Sequence, residues 1–126
     1  MSTDPTMSVR EKDTVRVPFT LFDELGAGIP LASMNALTVT VTERQEGGYV
    51  NGRNATSILN ANGGAFDASG GTGYWLMTPT DNTIVNGGTQ YGEEEIHDIL
   101  FQFTYSVTKR GSVSLVLAVK RIKFIS

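Results

Sequence analysis

The chain has 126 residues, a length typical of one domain, and ten Lys and Arg against thirteen Asp and Glu give it a net charge of −3. This balance disfavours a nucleic-acid partner, because nucleic-acid-binding proteins concentrate basic residues on one face to neutralise phosphates. The absence of cysteine excludes disulfides and thiolate metal sites. No stretch approaches the roughly eighteen apolar residues of a membrane-spanning helix, so we expect a soluble protein without a membrane partner.

The N-terminal part of the chain differs in pattern from the rest. Residues 1–14 show no hydrophobic alternation, and we predict an extended arm there, followed by a single domain at 15–126. The segment "DTVRVPFTLFD" then alternates, with apolar residues on one face of a strand. Those residues are Val15, Val17, Phe19 and Leu21. Pro18 has no N–H for a ladder, which predicts that this strand lies at a sheet edge.

Three longer segments alternate in the same way: "NALTVTVTER", "HDILFQFTYS" and "SVSLVLAVKR". The last two are separated by "VTKRGS", which predicts a hairpin in which Gly111 takes a positive φ. After Val119 the apolar residues Ile122 and Phe124 fall one position out of phase, which is consistent with a β-bulge or with a strand that leaves the sheet.

The middle of the chain is rich in glycine, with eleven of the fourteen glycines between Gly47 and Gly92. Short strand candidates lie between them at 56–60, 64–68 and 73–78. Turn residues at such regular spacing are typical of sandwiches and barrels. We therefore predict an all-β fold, an antiparallel two-sheet sandwich with seven or eight strands that is Ig-like or jelly-roll-like.

The segment "GEEEIHDIL" is the first candidate site, because it contains the chain's only histidine. Glu93, Glu95 and His97 would share one face of a strand. Zinc needs three or four converging ligands, and one histidine without cysteine leaves such a site dependent on distant carboxylates. We therefore expect no metal here and interpret the segment as a solvated, charged start of a strand.

Two further sets of residues are candidate functional sites. Asp67 and Asp81 would be a carboxylate pair of the kind that glycosidases use, but Asp beside Gly or in "PTDN" is more typical of turns. Trp75, with Tyr74 and Tyr91, would form a platform for stacking sugars, but a tryptophan in a sandwich is more often in the core. We predict no catalytic residues and no cofactor.

Several segments resemble small proteins encoded among the virion structural genes of tailed bacteriophages. They are "DTVRVPFTLFD", "LNANGGAFDASGGTGYWLMTPTDNTIV", "EEEIHDILFQFTYSV" and "VSLVLAVKRI", and the resemblance covers nearly the whole chain after residue 12. It implies an Ig-like or jelly-roll-like β-sandwich and a non-enzymatic structural role in the particle. It carries over no active-site residues.

The resulting hypothesis is a capsid decoration or cement protein, located in the virion after assembly in the host cytoplasm. It would bind the major capsid protein or other virion proteins in multiple copies of a symmetric assembly. The alternatives are a head–tail junction or tail protein, and a carbohydrate-binding module for host adhesion. The expected partner-binding residues are Thr3, Asp4, Pro5, Met7, Val9, Arg10, Ile122 and Phe124.

Overall fold

The computed structural model describes residues 7–44, 47–66, 70–83 and 94–120. These residues form eight strands, numbered in chain order. They are β1 (Met7–Arg10), β2 (Val15–Thr20), β3 (Met34–Glu43), β4 (Thr56–Ser57), β5 (Gly64–Phe66), β6 (Thr72–Met77), β7 (Glu94–Tyr105) and β8 (Lys109–Lys120). Two short 3₁₀ turns, Leu31–Ser33 and Pro79–Asn82, precede β3 and follow β6.

The strands form a five-stranded sheet in the order β1-β8-β7-β3-β4 and a three-stranded sheet in the order β2-β6-β5. The predicted all-β sandwich is thereby confirmed. One pair differs from the expectation, because β1 runs parallel to β8 while every other pair among the described strands is antiparallel. The chain reaches β2 in the other sheet directly after β1, so β1 has no hairpin partner next to it in sequence.

The core lies between the two sheets and follows the predicted alternation. Phe101 of β7 connects the layers, with its ring 5.0 Å from Phe19 of β2 and 6.3 Å from Trp75 of β6, measured between ring centroids. Edge-on and tilted aromatic pairs of this kind add about 0.5–1.5 kcal/mol beyond the burial of their area. Aromatic contacts across the sandwich therefore fix how the small sheet sits on the large one.

Pro18 lies where the sequence places it. Among the described strands β2 pairs only with β6, so it is an edge strand, and Pro18 lies opposite Tyr74 in the register. A residue without an N–H is tolerated at such an edge because no ladder bond is needed there.

The prediction of an extended arm at residues 1–14 needs correction for the residues that the structure describes. Met7–Arg10 is not a free extension but β1, whose residues pair with 117–120 of β8. Met7 and Val9 are half-buried and pack against the core. Two alternating apolar residues were too few for the pattern to reveal a strand, and its partner lies more than a hundred residues away in sequence.

The hairpin between β7 and β8 exists, but the prediction for Gly111 is wrong. The positive φ angles belong to Ser106 (48°) and Val107 (71°), while Gly111 lies in the ladder opposite Phe103. A Cβ on Gly111 would lie 2.5 Å from Cζ of Phe103. The glycine is therefore needed because the aromatic ring occupies the space beside it.

The tip of this hairpin is a γ-turn, because the N–H of Thr108 donates to the C=O of Ser106, at 2.8 Å, around the positive φ of Val107. This conformation is strained, and especially so for a β-branched residue. Val107→Gly is therefore expected to raise the free energy of unfolding by about 1 kcal/mol, since glycine adopts positive φ without a steric cost. Urea denaturation measures this, and Val113→Gly in the middle of β8 is the control that should destabilise. A loss of stability in Val107→Gly would contradict the strain.

Candidate functional site

The expectation of a solvated charged segment before the aromatic strand is wrong for the residues described. Strand β7 begins at Glu94, and Glu95 and His97 project from its inner face with exposed fractions of 2% and 0%. Nε2 of His97 lies 2.6 Å from Oε1 of Glu95. Glu43, also buried, is the register partner of His97 on β3. Alternation continues into the charged run, so these side chains share the core-facing side with Ile99.

This buried group does not have the geometry of a metal centre within the part of the chain described. Among those residues, no three of the His, Cys, Asp and Glu side chains are positioned to hold a metal ion. In the described structure Nδ1 of His97 has no hydrogen-bond partner, and the residue is fully buried. Glu93 lies outside the described residues. The arrangement favours a structural role at the end of the sheet.

Asp81 is the centre of a second buried polar network, and the turn interpretation is confirmed for it. Its carboxylate accepts hydrogen bonds from Nε of Arg53 at 2.7 Å and from Nδ2 of Asn51 at 2.9 Å. It also caps the 3₁₀ turn Pro79–Asn82, accepting from the N–H and the hydroxyl of Thr78 at 2.8 and 3.0 Å. Asp67, the other half of the considered carboxylate pair, lies outside the described residues.

The pKa of Asp81 reflects this network. Burial alone would raise the pKa, but the hydrogen bonds from Arg53, Asn51 and Thr78 outweigh it and hold the pKa below its ordinary value. The carboxylate is therefore an anion, and its negative charge is stabilised by hydrogen-bond donors of its own chain. This is a structural ion pair between the loop after β3 and the turn after β6.

Trp75 belongs to the core, as favoured from the sequence. Its side chain is buried, its Nε1–H donates to the C=O of Asn62 at 3.1 Å, and the guanidinium of Arg53 lies 5.5 Å from the ring centroid. Tyr74 points to the other face of β6, with Arg16 over its ring at 4.2 Å. Tyr91 lies outside the described residues. Trp75 and Tyr74 therefore do not form a shared sugar-stacking platform.

An open groove of about 410 Å³ lies along the side of the sandwich where β1 and β2 are the edge strands. The residues that line it come from β1, the connection to β2, the start of β2, and the end of β8. They are Met7, Ser8, Val9, Arg10, Asp13, Val15 and Lys120. This surface, the edge groove, combines half-buried apolar side chains with two exposed cations.

The edge groove includes all the described members of the predicted partner-binding set, namely Met7, Val9 and Arg10. Thr3, Asp4, Pro5, Ile122 and Phe124 lie outside the described residues. Val15 and Lys120 were not predicted as members of this surface, and the sequence pattern assigned Val15 to the apolar face of its strand. The pairing of β1 with β8 places Lys120 beside Arg10, which no local pattern indicates.

A second exposed apolar feature lies at the far end of β7. Leu25 and Val107 are 87% and 82% exposed on neighbouring loop tips. Glu24 joins the two loops, because it forms an ion pair with Lys109 and accepts a hydrogen bond from the hydroxyl of Tyr105 at 3.1 Å. These contacts hold two apolar tips at one end of the sandwich.

Comparison of the chain with models of known protein families, with curated proteins and with solved structures found no match. Across the described ranges, no helix has the length and apolar character needed to cross a membrane. The fold, the edge groove and the polar networks are therefore the features of this chain that bear on its function.

Proposed function

We propose that this chain is a non-enzymatic structural protein of a tailed-bacteriophage particle that decorates the capsid exterior in many copies. The edge groove is the observation that carries the proposal. It combines a strand edge that no other described strand covers, half-buried apolar side chains and exposed charge. Such surfaces suit binding to another protein.

The polar chemistry of the chain supports the same proposal. The described buried carboxylates Glu95 and Asp81 hold partners within the fold, and the single histidine is closed off from solvent. Catalysis requires groups that reach a substrate, whereas these groups connect neighbouring strands and turns. The resemblance of the sequence to virion proteins points in the same direction.

The carbohydrate-binding alternative has lost the residue on which it depended, because Trp75 is buried and bonded to the backbone. A role at the head–tail junction or in the tail shares the same fold and the same surface. These two virion roles differ in stoichiometry, because a capsid presents many equivalent sites and a ring around the tail axis presents few.

The proposal is tested by quantifying this protein against the major capsid protein in purified particles. Copies on the order of hundreds per particle are expected for a protein that covers a symmetric capsid. About six to twelve copies would move the protein to the neck or tail, as for a single ring. Absence from the particle would overturn the virion proposal.

A further inference from the structure

We propose that the edge groove binds an extended segment of a partner protein, which adds to β1 as a further strand and carries acidic residues beside Arg10. The proposed function supplies only the source of that segment, a neighbouring virion protein. The groove and its chemistry are argued from the chain itself.

The shape of the groove identifies a strand edge. All four consecutive residues of β1, Met7–Arg10, line it. Because neighbouring residues of a strand point to opposite faces, a groove that touches all four must run along the edge and not over one face. Strand β1 is bonded to β8 on one side, and no described strand pairs with its other side. The C=O of Arg10 accepts a hydrogen bond from the N–H of Asp13 at 3.3 Å, whereas the other outward backbone groups of β1 have no strand partner among the described residues and suit pairing with another chain.

The apolar part of the groove predicts the pattern of the segment. Met7 and Val9 face inward and are half-buried, and Val15 on the edge of the opposite sheet is half-buried as well. A strand added to β1 would point every second side chain toward these three residues. The partner segment therefore needs an apolar residue at alternate positions to complete this side of the core.

The charged part of the groove predicts what lies between those positions. Arg10 and Lys120 are direct register partners on β1 and β8, and both are exposed. On its other side Lys120 has Glu94 of β7 as its register partner, so Arg10 is the cation of the pair that lies at the edge of the sheet. Like charges opposite each other on neighbouring strands are destabilising. No ion pair is formed by either residue with a described side chain. An acidic residue on an added strand would lie beside Arg10 on this outer face and relieve the repulsion.

The overall charge of the protein does not oppose this preference. At physiological ionic strength, exposed charges separated by more than about 8 Å are largely screened from each other. The charges at the edge groove, Arg10 and Lys120 against the single carboxylate of Asp13, therefore decide which segment binds, and the net charge of −3 has little influence.

The test uses labelled peptides of about seven residues, a typical strand length, and fluorescence anisotropy. One peptide alternates valine with glutamate and the other alternates valine with lysine. The glutamate peptide is expected to bind, and amide NMR shifts should change at Met7–Arg10. Equal affinity for the two peptides, or shifts confined to the loop tips around Leu25 and Val107, would overturn the proposal.

The charge reversal Arg10→Glu provides the decisive variant, and Arg110→Glu, another exposed arginine in a different part of the sheet, is the matched control. Arg10→Glu should weaken the glutamate peptide about tenfold and improve the lysine peptide, while Arg110→Glu should change neither. The same effect of both variants would overturn the proposal, since it would indicate attraction by general charge. Arg110→Glu should keep the native melting temperature, and Arg10→Glu should raise it slightly, because a glutamate opposite Lys120 replaces a repulsion by an attraction.

A second copy of the chain is the competing occupant. Pairing of β1 edges between two copies would give a dimer in analytical ultracentrifugation without any peptide, and this result would overturn the proposal. The outcomes are separable from those of the proposed function. If the protein binds the glutamate peptide but is absent from particles, the binding site at the groove is supported and the virion role is overturned. If it is present in particles but binds neither peptide, the virion role is supported and the binding site at the groove is overturned.

Discussion

Replacement of Asp81 by asparagine is expected to lower the free energy of unfolding by about 3 kcal/mol, because it leaves the partly buried guanidinium of Arg53 without its counter-charge. The carboxylate accepts from Arg53, Asn51 and Thr78, all of which are donors. An amide has a donor in place of one acceptor, so at least one N–H or O–H would face another N–H. The ion pair is lost, and the one remaining oxygen can accept either from Arg53 and Asn51 or from Thr78, which caps the 3₁₀ turn.

The control for this prediction is Asp98→Asn. Asp98 also binds an arginine through two contacts, to Nε and Nη2 of Arg44, but on the exposed surface. Surface ion pairs contribute about 0–1 kcal/mol, so the same substitution should have little effect there. Urea denaturation at pH 7 compares the two variants. Equal and small losses would show that the Asp81 network does not stabilise the fold.

The Asp81 network also predicts how stability depends on pH. The folded pKa of Asp81 lies below its ordinary value of 3.8, so the unfolded state binds the proton more readily. The contribution is therefore fully present above about pH 4 and is lost as pH falls through the folded pKa. Below pH 4 the stability of the native chain should fall more steeply than that of Asp81→Asn. Parallel curves for the two proteins would contradict this assignment.

Trp75→Ala is the second large effect, with an expected loss of about 3–5 kcal/mol, the usual range for removing a buried tryptophan side chain. The change opens a cavity beside Phe101 and leaves the C=O of Asn62 without its donor. It also removes the ring against which Arg53 lies, so it weakens the surroundings of the Asp81 network. The substitution therefore affects core packing, a hydrogen bond and the surroundings of an ion pair at the same time.

Tyr74→Ala is the control for Trp75, since Tyr74 is the neighbouring residue on the other face of β6 and is only half-buried. A loss of about 1 kcal/mol is expected for it. Because the chain has one tryptophan, its fluorescence follows the unfolding of the native protein and of Tyr74→Ala, and circular dichroism follows the unfolding of Trp75→Ala.

A shift of the tryptophan emission when glycans are added to the folded protein would restore the carbohydrate-binding alternative.

The edge groove and the two apolar loop tips give the sandwich separate exposed surfaces. The groove lies near the end of the large sheet where β7 begins, and Leu25 and Val107 lie where β7 ends. A protein that decorates a particle must bind its support while the rest of its surface faces outward. The groove has the paired cations and a strand edge that no described strand covers, and for that reason we propose that the partner binds there.

The sequence by itself determined the all-β sandwich, the inward faces of β2, β3, β7 and β8, and the edge position of β2. These features follow from local chemistry: alternation repeats every two residues, and Pro18 lacks an N–H whatever its surroundings. The capping role of Asp81 is equally local, because its partner Thr78 is only three residues away. Periodicity and turn chemistry need no knowledge of distant residues.

Only the tertiary structure decided the strand character of Met7–Arg10, the burial of Glu95 and His97, and the reason for Gly111. Each depends on a strand that is distant in sequence or on a ring across the ladder. The edge groove is the clearest case, since Arg10 and Lys120 become neighbours only when the first strand pairs with the last. Register between distant strands is set by packing of the whole core, and no local pattern encodes it.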